Sequence, residues 1–251
     1  MSHHIVAVED LAFTFPDGTE ALRGVSFRIT HGEAVAVVGA NGSGKSTLLA
    51  HLNGGLFPTR GRVRIGDFPI TRAGLHDVRR TVGMVFQDPD DQLFMPTVYE
   101  DVAFGPLNLG CPAEEVEARV RRALEEVGAW RLRDRPPYRL SGGEKRLVSI
   151  AAVLSMDPSI LVMDEPTANL DPLARRRVME LVASFHHTRI IATHDLDLAL
   201  DLCPRTIVLG EGRVAADGPT EEILRDGAFL AAHHLELPLR LQGCPVCGRA
   251  G

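Results

Sequence analysis

The run Ala34-Val35-Ala36-Val37-Val38-Gly39-Ala40-Asn41-Gly42-Ser43-Gly44-Lys45-Ser46-Thr47-Leu48-Leu49-Ala50-His51-Leu52 decides the fold. Its first five residues form a continuous apolar run of strand length, as in strands covered on both faces. From Thr47 the pattern is helical, and between the two lies a glycine-rich loop. Gly39 to Thr47 fits the phosphate-binding loop pattern, and strand before and helix after are the context that pattern requires. The glycines let the backbone curl so that successive N–H groups point at the β- and γ-phosphates of a nucleotide. Lys45 adds a point charge, and the Ser46 hydroxyl suits a magnesium ion.

Upstream, Ile5, Val6 and Val8, then Phe13 and Phe15, then Val25, Phe27 and Ile29 alternate in patches around the turn Pro16-Asp17-Gly18. This predicts short antiparallel strands. Downstream, Gly61 to Ile65 and Thr81 to Phe86 read as further strands, and Asp88 to Pro112, rich in Pro, Asp and Gly, as a loop-heavy connector. A helix is expected from Pro112 to Gly128, with Val116, Val120, Ala123, Leu124 and Val127 on one face, and another over Glu144 to Leu154. Ile160 to Met163 and Arg189 to Thr193 read as buried strands, and strands separated by helices argue for a largely parallel sheet. Thr206 to Ala216 resembles a hairpin turned at Glu211-Gly212, and Thr220-Glu221-Glu222 opens a short helix with acids at its positive end. No internal repeat or low-complexity segment interrupts this order.

A chain of 251 residues sits at the top of the range for one domain, and 45% apolar with 24% charged residues excludes disorder as the main theme. The net charge of -6 argues against a non-specific grip on nucleic acid or anionic lipid. The most apolar stretch, Leu147 to Met156, is about half the ~20 residues a membrane helix needs. Met1-Ser2-His3-His4-Ile5 lacks the basic end and apolar run of a signal peptide, so the chain is expected to stay in the cytosol. Its four cysteines then read as thiols or metal ligands before disulfides. Cys244-Pro245-Val246-Cys247 is half of a four-ligand zinc pattern, with His233 and His234 upstream; the alternative is ordinary thiols in a tail. Cys111 and Cys203 are isolated.

Two more stretches carry chemistry. Ile160-Leu161-Val162-Met163-Asp164-Glu165-Pro166 is an apolar strand ending in two carboxylates, at the edge where ligands sit in parallel sheets. Asp164 is placed to hold a metal through its water shell, and Glu165 to polarise a water that attacks the γ-phosphate. Leu140-Ser141-Gly142-Gly143-Glu144-Lys145 is a small-residue turn leading into a helix, an anion-facing N-terminus. A chain with one phosphate loop has no need of a second.

With these three motifs in this order, the sequence resembles the ATP-binding-cassette ATPases from Ile5 to about Leu237. The resemblance implies an α/β fold of the P-loop NTPase class: a mostly parallel core sheet, an N-terminal antiparallel β-subdomain and an inserted helical lobe. It implies an ATPase domain over residues 1–237, with the helical lobe and signature region at about 88–155, and a short tail at 238–251. Phe15 looks like the aromatic that stacks on adenine. Gln87 resembles the glutamine that reaches Mg²⁺ and senses a membrane partner, Ala168-Asn169-Leu170-Asp171 the D-loop, and His194 the histidine that contacts the γ-phosphate. The phosphate loop of one chain and Ser141, Gly142 and Gly143 of another are then expected to close over the same ATP, so two chains make two sites. All these groups are present, so a homodimer is expected. Two positions depart from the family pattern: Glu144 stands where Gln is common, and Asn169 where a small residue is usual.

A narrower resemblance rests on Val82 to Phe94, on Val98-Tyr99-Glu100-Asp101-Val102-Ala103-Phe104-Gly105-Pro106, on Thr193 to Cys203 and on Ala216-Asp217-Gly218-Pro219-Thr220. These are similar to the energy-coupling-factor group, above all its cobalt and nickel importers. The implied protein is an ATP-hydrolysing, Mg²⁺-using importer subunit, peripheral at the cytoplasmic face of the membrane. Its cargo would be a divalent metal (cobalt or nickel) or a vitamin, and its partners separate integral membrane coupling and substrate-binding subunits. Leu93, Phe94 and Met95 are candidate docking contacts, the alternative being that they pack into the chain's own lobe. A soluble cassette ATPase acting on DNA or ribosomes shares the motifs, but the long coiled-coil insertion or second cassette usual there is missing, and the acidic balance disfavours nucleic acid. A small-molecule kinase would leave Ser141 to Gly143 and His194 unexplained.

Overall fold

The computed structural model describes residues 6–242. In chain order the elements begin with β1 (Val6–Thr14), β2 (Glu20–Ile29), β3 (Ala34–Val38), α1 (Lys45–Leu52), β4 (Arg60–Ile65), β5 (Phe68–Pro69) and α2 (Leu75–Thr81). Next come β6 (Val82–Val85), α3 (Val98–Asn108), α4 (Ala113–Glu126), α5 (Gly142–Leu154), β7 (Ile160–Asp164) and α6 (Pro172–Ser184). The chain closes with β8 (Thr188–Thr193), α7 (Leu196–Leu202), β9 (Arg205–Gly210), β10 (Arg213–Pro219), α8 (Thr220–Arg225) and α9 (Gly227–Ala232). Two compact units divide these: one holds the described residues up to Val78 and from His187 onward, the other Arg79–His186.

In the first unit β2, β1, β4 and β5 form an antiparallel sheet in that order. The broken alternation of the N-terminal sequence has a local cause. A register shift lies between Val8 and Leu11, where Asp10 takes a positive φ of 47°, so the buried set moves from Val6 and Val8 to Leu11 and Phe13. Such a bulge flips the phase of every later side chain. On the outer face Glu9 accepts from Arg28 and Arg62, and Arg60 pairs with Asp10. The other sheet of this unit has β3 at its centre, parallel to β8 and β9, with Val38 opposite Thr193 and Val208. All five residues of β3 are buried, as a strand flanked by two parallel neighbours demands. β10 returns antiparallel to β9 through Glu211 and Gly212, both at positive φ (48° and 74°), the turn that a tight hairpin prefers.

In the second unit β6 and β7 pair in parallel, from Val82 opposite Ile160 to Val85 opposite Met163. α4 buries Val116, Val120, Ala123 and Leu124, with i,i+4 pairs from half-buried Arg119 to Glu115 and from exposed Arg121 to Glu117. The expected loop at Asp88 to Pro112 is corrected here: a helical turn at Pro89–Asp91 is followed by the 11-residue α3. Thr97 caps α3 by accepting from Glu100 N–H. Pro106 lies inside the helix and cannot donate to the Val102 carbonyl one turn back. The Ser155 hydroxyl donates to that carbonyl instead, at 2.8 Å. Buried Asp101 accepts the backbone N–H groups of Phe94 and Met95, both at 3.0 Å, and burial raises its pKa above the ordinary carboxylate value. Among the described residues, no helix is long and apolar enough to cross a membrane.

Candidate functional site

In the first unit the chain leaves β3 at Gly39 and turns back on itself, Ser43 N–H donating to Ala40 O at 3.1 Å. Gly44 forms the N-cap of α1 at φ 103°, a conformation that favours glycine, and no side chain caps that end. The first-turn N–H groups therefore suit an anion. Lys45 is 8% exposed, and its ammonium donates to the carbonyls of Gly39 (2.8 Å) and Ala40 (3.2 Å). Ser43 Oγ is buried without a hydrogen-bond partner, while Ser46 faces solvent and Thr47 is half-buried. A charged ammonium, an uncapped helix start and an unspent hydroxyl around one glycine loop fit a polyphosphate.

Gly39 is required for a steric reason. A Cβ there would lie 2.4 Å from the Leu209 carbonyl oxygen and 2.5 Å from Ser43 Oγ. Gly39→Ala is expected to destabilise the protein by about 1–3 kcal/mol and to weaken nucleotide binding. Thermal unfolding with and without ATP checks this, and an unchanged profile in both would overturn it.

His194 is exposed directly after β8, on the strand next to β3, so it shares the carboxyl edge from which the loop departs. The next residue, Asp195, caps α7 by accepting from Leu198 N–H at 3.0 Å, which fixes where the helix begins after the histidine. Phe15 is half-buried, edge-on to Phe13 at 4.9 Å, and Phe13 is edge-on to His51 at the same distance. The His51 ring meets Thr47 O at 2.7 Å through Nδ1, and burial lowers its pKa so that it stays neutral. A row of rings thus links Phe15 to the helix that carries Lys45 and Ser46, a link the sequence did not announce.

In the second unit Asp164 ends β7 and Glu165 follows it, both buried, and Gln87 is exposed just beyond the neighbouring β6. Glu165 takes φ 46°, a strained conformation for a residue with a side chain. Ser141, Gly142 and Gly143 open α5 through a capping box. Ser141 N–H donates to Glu144 Oε2 (3.0 Å) and Glu144 N–H to Ser141 Oγ (3.3 Å). Asn169 takes φ 60°, a left-handed conformation that Asn tolerates better than most side chains. Asp171 caps α6 by accepting from Leu173 and Ala174 N–H.

Leu93 is corrected as a docking contact, because its side chain is 7% exposed and belongs to the interior. Phe94 is 63% exposed and stands edge-on to exposed Phe104 at 5.0 Å. Cys203 is buried, and its thiol is pushed up to about 12, so it is inert; Cys111 is half-buried. His233 packs against Phe229 at 4.5 Å. Cys244 and Cys247 lie outside the described residues. Among the described residues no group of three or more His, Cys, Asp and Glu would hold a metal ion. Taken one by one, the candidate residues offer a hydroxyl (Ser46) in the first unit and an amide (Gln87) and a carboxylate (Asp164) in the second, the hard oxygen donors that suit magnesium, an ion that keeps several waters.

Residues 22–168 match the family described as ABC transporter. A Geobacter sulfurreducens protein provisionally named an ABC transporter ATP-binding protein is 70% identical over 249 residues, 99% of this chain and 100% of that protein. The energy-coupling factor transporter ATP-binding protein EcfA of Methanocaldococcus jannaschii is 47% identical over 240 residues, 94% of this chain and 86% of that protein. Among solved structures, cbiO1 of Clostridium perfringens, part of the ABC transporter complex cbiONQ, superposes with a TM-score of 0.80 at 41% identity. That match covers 92% of this chain and 94% of the other.

Proposed function

The chain belongs to the ABC transporter family as an ATP-hydrolysing transporter subunit, and on that premise we propose that it powers uptake of a divalent metal ion, cobalt or nickel, or of a vitamin. The observation that carries the ATP site is the loop Gly39–Thr47, set between a fully buried strand and an uncapped helix, with Lys45 folded onto its carbonyls. Similarity to the energy-coupling factor protein EcfA and to cbiO1 of the cbiONQ complex supports a transporter subunit of this group, while the direction of transport and the cargo rest on the resemblance of Val82 to Phe94 and Thr193 to Cys203.

In this proposal Gly39, Ala40, Asn41, Gly42, Ser43, Gly44, Lys45, Ser46 and Thr47 wrap the phosphates, and Lys45 exchanges two carbonyls for phosphate oxygens. Phe15 offers its ring to adenine. Ser46, Gln87 and Asp164 would hold a magnesium ion, which when bound would neutralise charge on the phosphates. Glu165 accepts the proton of the attacking water and His194 bonds the γ-phosphate. Ser141, Gly142 and Gly143 of a second copy of the chain close the site, so the working ATPase is a homodimer. We assign residues 1–237 to the ATPase domain, with 88–155 as its helical and signature region and 238–251 as a tail. The subunit is peripheral at the cytoplasmic membrane face. It grips an integral membrane coupling subunit through Phe94 and Met95, with exposed Phe104 edge-on to Phe94, and a further membrane subunit chooses the cargo. The net charge of -6 supports the exclusion of nucleic acid as a partner.

The test is co-expression with the membrane proteins encoded beside this chain, followed by detergent extraction and a cobalt or nickel uptake assay. A membrane complex with ATP-dependent metal accumulation is expected. Recovery of ribosomal or DNA components without integral membrane proteins would overturn the transport reading, and uptake of a vitamin without metal would overturn the metal.

A further inference from the structure

Arg146 is the largest side chain in the fully buried set, 2% exposed, two residues after the capping Glu144 on the buried face of α5, whose other buried residues are apolar except Ser149. Its guanidinium donates to two backbone carbonyls, Nη1 to Phe86 O at 2.6 Å and Nη2 to Gln87 O at 2.5 Å. Two more contacts tie the same loop to the same helix, and a third braces the loop itself. Gln92 Nε2 donates to Ser149 O (2.7 Å), Gln92 Oε1 accepts from Phe86 N–H (3.2 Å), and Lys145 Nζ meets Asp90 Oδ1 (2.5 Å). The loop is thereby fastened to residues 145, 146 and 149 at Phe86, Gln87, Asp90 and Gln92.

Burying a guanidinium is expensive, and a methionine of similar volume would fill the space without that penalty. Burial lowers the proton affinity of Arg146, while the negative charges of Asp88 and Asp164 favour its cationic form. What the charged fork adds over an apolar side chain is direction: two carbonyls held at once in a fixed plane. Those carbonyls belong to Gln87 and its neighbour.

We propose that Arg146 is a positioning residue that locks the Gln87 backbone to the helix opened by Ser141–Gly143. A displacement of the Gln87 loop then moves the signature turn as part of one body, and the catalytic rate depends on that lock. The assignment rests on the ATPase reading above.

The full-length chain carrying Arg146→Met is expected to bind ATP with unchanged affinity, because the phosphate loop lies elsewhere, yet to lose between about tenfold and a hundredfold in kcat. Amide exchange over residues 86–92 should accelerate in the same protein. Arg146→Lys should recover only part of the rate, since an ammonium cannot hold both carbonyls in the fork geometry. A folded Arg146→Met protein with wild-type kcat, or with unchanged exchange at 86–92, overturns the proposal. So does a rate loss that tracks only a weaker affinity for ATP. If Arg146→Met does not fold, Gln92→Met decides: it must show the same faster exchange and lower kcat, and wild-type behaviour refutes the lock. A wild-type chain that fails to bind or hydrolyse ATP would instead refute the ATPase site, and exchange at 86–92 would still report on the lock.

Discussion

Glu165→Gln is expected to keep ATP binding and to lower steady-state hydrolysis about 10²–10⁴-fold, the range a positioned general base contributes. The carboxylate is buried after the last residue of β7, in a left-handed backbone at φ 46°. Such a conformation costs a residue with a side chain of order 1–3 kcal/mol, and the pairing of β6 with β7 holds the strand that leads into it. Glutamine has the same size and hydrogen-bonding reach, so the fold and the bound nucleotide should tolerate it. What it lacks is the ability to take the proton of the attacking water. Equilibrium binding of a fluorescent ATP analogue and single-turnover phosphate release separate the two effects. The variant should also accumulate as an ATP-bound dimer on size exclusion, because the closed state is no longer resolved by hydrolysis. Hydrolysis at the wild-type rate would show that Glu165 is not the base.

The parts of the fold legible in the sequence are those whose cause is local. β3, β7 and β8 are short apolar runs, and their burial follows from composition alone. The phosphate loop is legible because its chemistry lies in backbone curvature, which glycine spacing encodes directly. α3 was hidden because Gly105 and Pro106 argue against a helix, and the hydroxyl that satisfies Val102 O comes from Ser155, |i−j| = 53 away. The signal that could have found it was Thr97-Val98-Tyr99-Glu100, a capping sequence at the head of an apolar run. Arg146 was silent for the same reason as Ser155, since its partners Phe86 and Gln87 are 60 and 59 residues distant. The two departures from the family pattern become intelligible in three dimensions. Glu144 completes the capping box with Ser141, and Asn169 fills a left-handed position.

Lys45→Ala is expected to weaken ATP binding at least about 100-fold, or about 2.7 kcal/mol. The magnitude follows from what the ammonium does now and what it would do with nucleotide present. It sits almost out of solvent and donates to Gly39 O and Ala40 O, so its desolvation is already met in the folded protein. Exchanging two neutral carbonyls for phosphate oxygens replaces ordinary acceptors with ionised ones, and hydrogen bonds to charged groups contribute about 1.5–3 kcal/mol each. Alanine removes that gain and also leaves the two loop carbonyls without their bridge, so the nucleotide-free protein should lose stability as well. The effects separate by thermal unfolding over an ATP titration, since a ligand stabilises by RT ln(1 + [L]/Kd). The nucleotide-free midpoint reports the lost bridge and the concentration dependence reports Kd. Lys45→Arg is the control: it keeps the charge, but its planar fork is not the point-like ammonium that bridges Gly39 O and Ala40 O, so it should rescue poorly. An alanine variant whose midpoint rises with ATP as steeply as the wild type would mean that the glycine-loop N–H groups hold the phosphates unaided, and Lys45 would lose its assigned role.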